Sequence, residues 1–244
     1  TGLCRHGVLS RWGCIKVSLE CTFCYISSFM KWAGKEPFNG PIRTKDWSKP
    51  LRWNRKAALT GERPRIFTCS MSDFFHPGAD QWRDEAWEII RASQNLDWLI
   101  LTKRPELIPD RLPSDWGDGY GNVWLGVTCG VQSSLHRIPL IQKIPAKVRF
   151  ISAEPLLEQI DFTPYLDGSI DWIITGCEKA AKNKRRPMNL DWVRDIDHQC
   201  RNADVAHFFK QRYDGTQIVT DGLLDGFVRH EWPKLKLQYE GDTK

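Results

Sequence analysis

The chain has 244 residues, 41% of them hydrophobic and 27% charged, with a formal net charge of +5. That length suits one α/β domain, or two small ones, with a substantial core. No apolar run approaches the roughly 20 residues of a membrane helix and the first residues carry no signal-peptide pattern, so a cytoplasmic protein without a membrane partner is expected; the mild positive charge is compatible with a polyanionic or phosphorylated partner.

The first informative stretch is WGCIKVSLECTFCY, from Trp12 to Tyr25, which spaces Cys14, Cys21 and Cys24 as C-x6-C-x2-C. Soft thiolates so close in sequence select zinc or an iron–sulfur cluster. A structural zinc ion needs four protein ligands, and Cys4 or His6 would supply the fourth. A four-iron cluster held by three cysteines instead keeps one iron open. Both readings stand on spacing alone. Cys69, Cys129, Cys177 and Cys200 fall at or after apolar runs or within a helical pattern, and read as buried reduced thiols. A chain with its own core has no need of disulfide staples.

Residues 27–62 read as irregular and basic, broken at Ser48-Lys49-Pro50, with one helix over 51–59 ended by Gly61. Short apolar runs then recur at 65–69, 98–102, 123–127, 148–152, 172–175 and 207–209, rich in Ile, Val, Phe and Trp. They do not alternate with polar residues, which suits parallel strands covered on both faces. Helical stretches lie between them: 80–93 with Asp80 as cap, 105–112 broken by Pro109, 132–144 interrupted at Pro139, and 190–203.

The alternation, with one more strand at or before the cysteine loop, predicts an α/β chain forming a partial, TIM-like (β/α) barrel of six to seven parallel strands. It is read as a single domain: cysteine loop 12–30, βα units 65–212, and an extension 215–244 in which two Asp-Gly pairs predict a short hairpin. Trp98, Trp124 and Trp172 open apolar runs and are expected in the packing. Trp32, Trp47, Trp53 and Trp116 lie in polar segments and are candidate substrate platforms.

In such a barrel the working face is at the C-terminal ends of the strands. After the successive runs come Ser70, Ser72 and Asp73, then Lys103 and Arg104, then Thr128, then Glu154, then Glu178 and Lys179, then Lys210. Singly, each has a bland reading as a cap, a salt-bridge partner or a solvated end. As a ring they predict a cofactor pocket.

Cys21-Thr-Phe-Cys24 matches the C-x-aromatic-C half of the radical S-adenosylmethionine (SAM) signature, although the six residues between Cys14 and Cys21 exceed its usual spacing. Longer phrases (FTCSMSDFFHP, LILTKRPE, NVWLGVT, FISAEPLLEQID, LDWVRDI, LDGFVRHEWP) run in order along nearly the whole chain. They resemble successive blocks of the phage-associated radical SAM-like family long catalogued as a domain of unknown function.

The resemblance implies a [4Fe-4S] cluster on Cys14, Cys21 and Cys24, SAM on the open iron, an external electron donor, and hydrogen abstraction by a 5′-deoxyadenosyl radical. It places Phe23 near the adenine and Ser70, Ser72 and Asp73 near the methionine moiety, with Asp73 the best acceptor for its ammonium. Ser152 and Glu154 would meet the ribose or adenine, Thr128 would join the cofactor contacts, and Lys103 and Arg104 would meet a carboxylate or substrate anion. Glu178, Lys184, Arg185 and Arg186 are the candidate substrate residues. Between Glu178 and Arg186, Lys184 and Arg185 belong with Lys179 and Lys182 to a basic loop that either holds phosphates or is simply solvated. Two departures fall at the pocket: Gly130 stands where the family commonly has Glu, and Gly176-Cys177 where it has two glycines.

The implied substrate is a nucleic-acid base or nucleotide. In its most concrete form the reaction is an isomerase- or lyase-type rearrangement of a modified pyrimidine during phage DNA hypermodification, with the base taken out of the stack. The alternatives are a zinc-stabilised nucleic-acid-binding protein without catalysis, and a degenerate cluster site that binds SAM poorly.

Overall fold

The computed structural model describes residues 5–8, 11–36, 38–45 and 47–234, with the main chain alone described at 5–8 and 11–12. Cys4 and the side chain of His6, the two candidate fourth zinc ligands, lie outside the described residues.

In chain order the strands and helices are β1 (Arg5–Val8), β2 (Arg11–Trp12), α1 (Ile26–Trp32), β3 (Ile42–Arg43), α2 (Lys49–Thr60), β4 (Arg65–Thr68), α3 (Arg83–Arg91), β5 (Asp97–Thr102) and β6 (Val123–Thr128). They continue with α4 (Arg137–Gln142), β7 (Val148–Ala153), β8 (Trp172–Gly176), α5 (Leu190–Asn202), β9 (Ala206–Tyr213), β10 (Ile218–Val219), β11 (Leu223–Leu224) and β12 (Phe227–Val228). The main sheet runs β1-β4-β5-β6-β7-β8-β9-β10. Every neighbouring pair from β1 to β9 is parallel, and only β10 turns back antiparallel on β9. Seven parallel strands with crossover segments make the partial barrel expected from the rhythm of apolar runs.

Successive strand side chains point to opposite faces, and here the two faces enter separate apolar clusters. Ile66, Trp98, Ile100, Leu125, Val127, Ile151, Ile173 and Phe209 belong to the larger cluster, which also takes in the helix residues Trp87, Ile90, Ile138, Val193 and Ile196. Leu99, Trp124, Val148, Phe150, Trp172, Ile174 and Phe208 form the second, with Phe67 and Leu101 packed against it. This second cluster fills the concave side of the sheet below the strand ends. Gly126 is required there, since a Cβ would lie 2.3 Å from the Phe150 ring.

Several local expectations are corrected. Residues 27–62 are not uniformly irregular, because α1 forms directly after the cysteine loop. Helix α2 starts at Lys49 with Pro50 in its first turn, and Gly61 ends it at φ +68°. Asp80 does not cap α3: it lies in a 3-10 turn and pairs with Arg83 and Arg111 at 2.6 and 2.9 Å, while His76 Nδ1, accepting from Gly78 N, caps that 3-10 turn, and Trp82 at the N-cap of α3 makes no side-chain cap bond. Pro139 sits inside the first turn of α4 rather than interrupting it, where its missing N–H has no intrahelical acceptor to lose. The predicted C-terminal hairpin is β11–β12, turning at Asp225-Gly226 with both φ values positive. Asp221-Gly222 makes no hairpin of its own.

Among the tryptophans, Trp98, Trp124 and Trp172 are fully buried as expected. Trp47 and Trp116 are buried too, and Trp53 packs on the larger cluster, so these three are no platforms. Trp32 is 83% exposed, yet it does not line the pocket described below. Long-range packing, not the polarity of neighbours in sequence, decides the burial of these indole rings. Among the described residues, no helix is long and apolar enough to cross a membrane.

Candidate active site

The inner-face register of the strands carries on past the apolar cluster into a pocket. Along β5 the inward positions are Leu99, Leu101 and Lys103; along β6 they end at Thr128; along β7 at Ser152 and Glu154; on β8 and β9 they lead to Glu178 and Lys210. Lys103, Thr128, Ser152, Glu154, Glu178 and Lys210 all line one pocket of about 1030 Å³, measured to its open mouth. The cysteine loop forms the facing wall, with Cys14, Cys21, Phe23 and Cys24. The end of β4 adds Ser70, Ser72 and Asp73. The three clustered cysteines and all eight cofactor residues predicted from sequence therefore meet in one cavity. Of the four substrate candidates only Glu178 lines it.

Three arginines, from the segments after β5, β6 and β8, grip the cysteine loop. Arg104, after β5, donates to Ile15 O at 2.7 Å and to Cys14 Sγ at 3.9 Å. Arg137, in α4 after β6, pairs with Glu20 at 3.2 Å. Arg186, after β8, donates to Leu19 O at 3.0 Å. This clamp, which spacing gave no means of finding, seats residues 14–21 on the sheet.

The clamp explains Gly130. Its Cβ position lies 1.9 Å from Pro155 O, so a side chain is excluded there. Its N–H donates to Glu20 Oε1 at 3.4 Å. A carboxylate thus stands beside this strand end after all, supplied by the cysteine loop. Burial raises the Glu20 pKa, but hydrogen bonding from Ser18 and its own backbone together with Arg137 outweighs that, leaving it below its ordinary value.

Each of the four pocket carboxylates has a cation: Asp73 with Arg104 (3.1 Å), Glu20 with Arg137, Glu154 with Lys210 (2.6 Å) and Glu178 with Arg186 (2.5 Å). Lys16, Lys103 and Lys179 also line the pocket, with no salt bridge among the described residues, so the site carries surplus positive charge. Asp73 accepts from Phe75 N, Thr102 Oγ1, Lys103 N and Arg104. Those four donors use the acceptor capacity of a carboxylate. Its geometry is that of a buried bracket for Arg104 and the β5 end, not of a free acceptor for a ligand ammonium.

Other polar groups do have spare capacity. Ser72 Oγ, Thr128 Oγ1 and Glu20 Oε2 are buried without a hydrogen-bond partner among the described residues, and all three residues line the pocket. A buried polar atom left unpaired costs roughly 1–3 kcal/mol. Three in one cavity mark a wall built to receive a polar ligand. Aromatic rings sit at the mouth with cations over them: Lys16 on Phe38, Lys179 on Tyr25 and Arg186 on Phe23. The Tyr25 hydroxyl donates to Ser70 O and joins the cysteine loop to the β4 end.

The thiols divide by environment. Burial pushes Cys129 and Cys177 up to about 12 and about 11, which marks inert buried thiols; Cys200 is raised for the same reason. Burial also raises Cys14 and Cys24, but these two are only partly buried and face the pocket. Among the described residues no three His, Cys, Asp or Glu side chains are grouped to hold a metal ion. Cys14, Cys21 and Cys24 line the same pocket, and a three-thiolate donor set is of the soft kind that a cluster with one open iron would take.

No curated protein matches the chain. A solved structure with a similar chain path is a mutant spore photoproduct lyase with bound AdoMet and dinucleoside spore photoproduct, at 12% identity and a TM-score of 0.43. That match covers 86% of this chain and 65% of the lyase chain, less than two thirds of its length. Residues 4–229 match the family described as "Protein of unknown function (DUF5131)", and the chain belongs to that family.

Proposed function

We propose that the chain is a radical SAM enzyme, with a [4Fe-4S] cluster on Cys14, Cys21 and Cys24 and SAM in the pocket above the inner strand ends. The observation that carries this reading is the meeting of those three cysteines with the unpaired Ser72, Thr128 and Glu20 oxygens in one cavity. Held by those cysteines, the cluster with SAM would supply radical chemistry for abstracting a substrate hydrogen, given an electron from an external donor.

The chain's own residues bind and orient. Phe23, 36% exposed, offers an apolar face to the adenine. Ser70 and Ser72 serve the methionine moiety, and Lys103 takes a carboxylate. Thr128, Ser152 and Glu154 line the side that receives the ribose or adenine. Asp73 acts through Arg104, holding that guanidinium against the Cys14 sulfur and the Ile15 carbonyl. The paired Glu178 and Arg186 form the wall on the substrate side. The surplus lysines and cation-topped rings at the mouth favour a planar, anionic substrate, which supports a nucleic-acid base or nucleotide. An isomerase- or lyase-type reaction on a modified pyrimidine is the concrete form of that reading.

The test is metal content. Anaerobically purified protein is expected to be brown with about four irons per chain, and changing Cys14, Cys21 and Cys24 to Ala together should remove both colour and iron. Colourless protein with one tightly held zinc would overturn the proposal in favour of a structural metal.

A further inference from the structure

Beside the main pocket, across the Glu178–Arg186 wall, lies a second cleft of about 620 Å³ to its mouth. It is lined by the cations Lys182, Arg185, Arg186 and Arg212, over a floor that includes Met188 and Tyr213. No acidic residue lines it. Two of the cations are already compensated, Arg186 by Glu178 and Arg212 by Asp221 at 2.6 Å. Lys182 and Arg185 have no salt bridge among the described residues. The Arg185 guanidinium lies 4.5 Å from the centre of the Tyr213 ring, and one end donates to Ala180 O at 3.1 Å. Its Nε is buried with no acceptor.

A stacked, tethered guanidinium with a buried unused donor, among further cations and no acid, is preorganised for tetrahedral oxyanions. We propose that this cleft is a phosphate-binding subsite, with Arg185 and Lys182 as its principal ligands. Arg186 spans the boundary between the two cavities, reaching from the cleft to Leu19 O and over Phe23. The phosphate is either a terminal monoester or an internal diester of a nucleic acid. The subsite rests on the Proposed function only in treating the main pocket as the reaction site; its anion binding does not depend on iron.

The experiment is calorimetric titration of the full chain, and of the Cys14→Ala, Cys21→Ala, Cys24→Ala variant, with pyrophosphate, a nucleoside 5′-monophosphate and a dinucleotide holding one phosphodiester. All three probes share the chemistry, and their rank separates a terminal phosphate from a backbone one. Saturable binding is expected that weakens with salt. It should fall about tenfold or more in Arg185→Gln, the loss of one charge-assisted hydrogen bond to a phosphate. Lys182→Gln should also weaken it, Arg185→Lys should recover only part, and the exposed, remote Lys143→Gln should leave it unchanged. Binding that survives in the cysteine variant supports the subsite even where the cluster reading fails. Binding that Arg185→Gln leaves untouched, or no binding of any probe at low salt by folded protein, overturns the proposal.

Discussion

Replacing Arg137 with Met tests the clamp that seats the cysteine loop. The Glu20 side chain has 0% exposure and that of Arg137 has 4%, so both charges lie in a medium that screens them poorly. Arg137 also donates to Thr128 O at 2.7 Å, tying the pair to the β6 end. The Met side chain fills much of the same volume but leaves the carboxylate without its cation. Removing one partner of a buried pair costs about 3–5 kcal/mol. For a chain of this size that corresponds to a fall in melting temperature of about 6–20 °C. The assay is thermal and urea unfolding of wild type and variant between pH 4 and pH 8.

The pH dependence carries its own sign. In the wild type the Glu20 pKa is lowered, so its stabilisation is present above the unfolded pKa and is lost as pH falls. In Arg137→Met the cation's share of that lowering is lost, so the folded pKa moves up. The resulting penalty is full at neutral pH and shrinks as the group protonates. The gap between the two proteins should therefore narrow toward pH 4. A gap below 1 kcal/mol at pH 7, or one that does not change with pH, would refute the buried-pair reasoning.

Three further variants test the same geometry. Gly130→Ala should destabilise the chain by about 1–3 kcal/mol in urea unfolding, because its Cβ has to displace the Pro155 carbonyl; a neutral result would show that this contact relaxes freely. With a cluster in place, Arg104→Met removes a cation 3.9 Å from Cys14 Sγ and should lower the cluster midpoint potential, by up to about 60–130 mV if one charge-assisted hydrogen bond is lost. Asp73→Asn leaves Arg104 uncompensated and should raise it. Shifts of the same sign in the two variants, read by redox titration with electron paramagnetic resonance, would contradict the role given to the pair.

The strands were legible because buried parallel strands leave unbroken apolar runs, and their ends pointed at once to Lys103, Thr128 and Glu154. Period-two alternation then carries each strand from the apolar cluster into the pocket, so an end-of-strand reading finds inward residues without knowing the sheet. The pairings were not legible. Asp73 looked like a free acceptor because Thr102 and Arg104 reach it from the neighbouring strand. Nothing in the sequence singles out Glu20, since its partner Arg137 lies 117 positions away. The basic loop divides for a similar reason: Arg185 and Arg186 fold into the second cleft, while Lys184 lines neither cavity.

The most direct measurement is the product formed when anaerobic, iron-replete protein is mixed with SAM and dithionite. The account predicts 5′-deoxyadenosine from the wild-type chain and none once Cys14, Cys21 and Cys24 are replaced. Iron-replete wild-type protein that leaves SAM intact would contradict it.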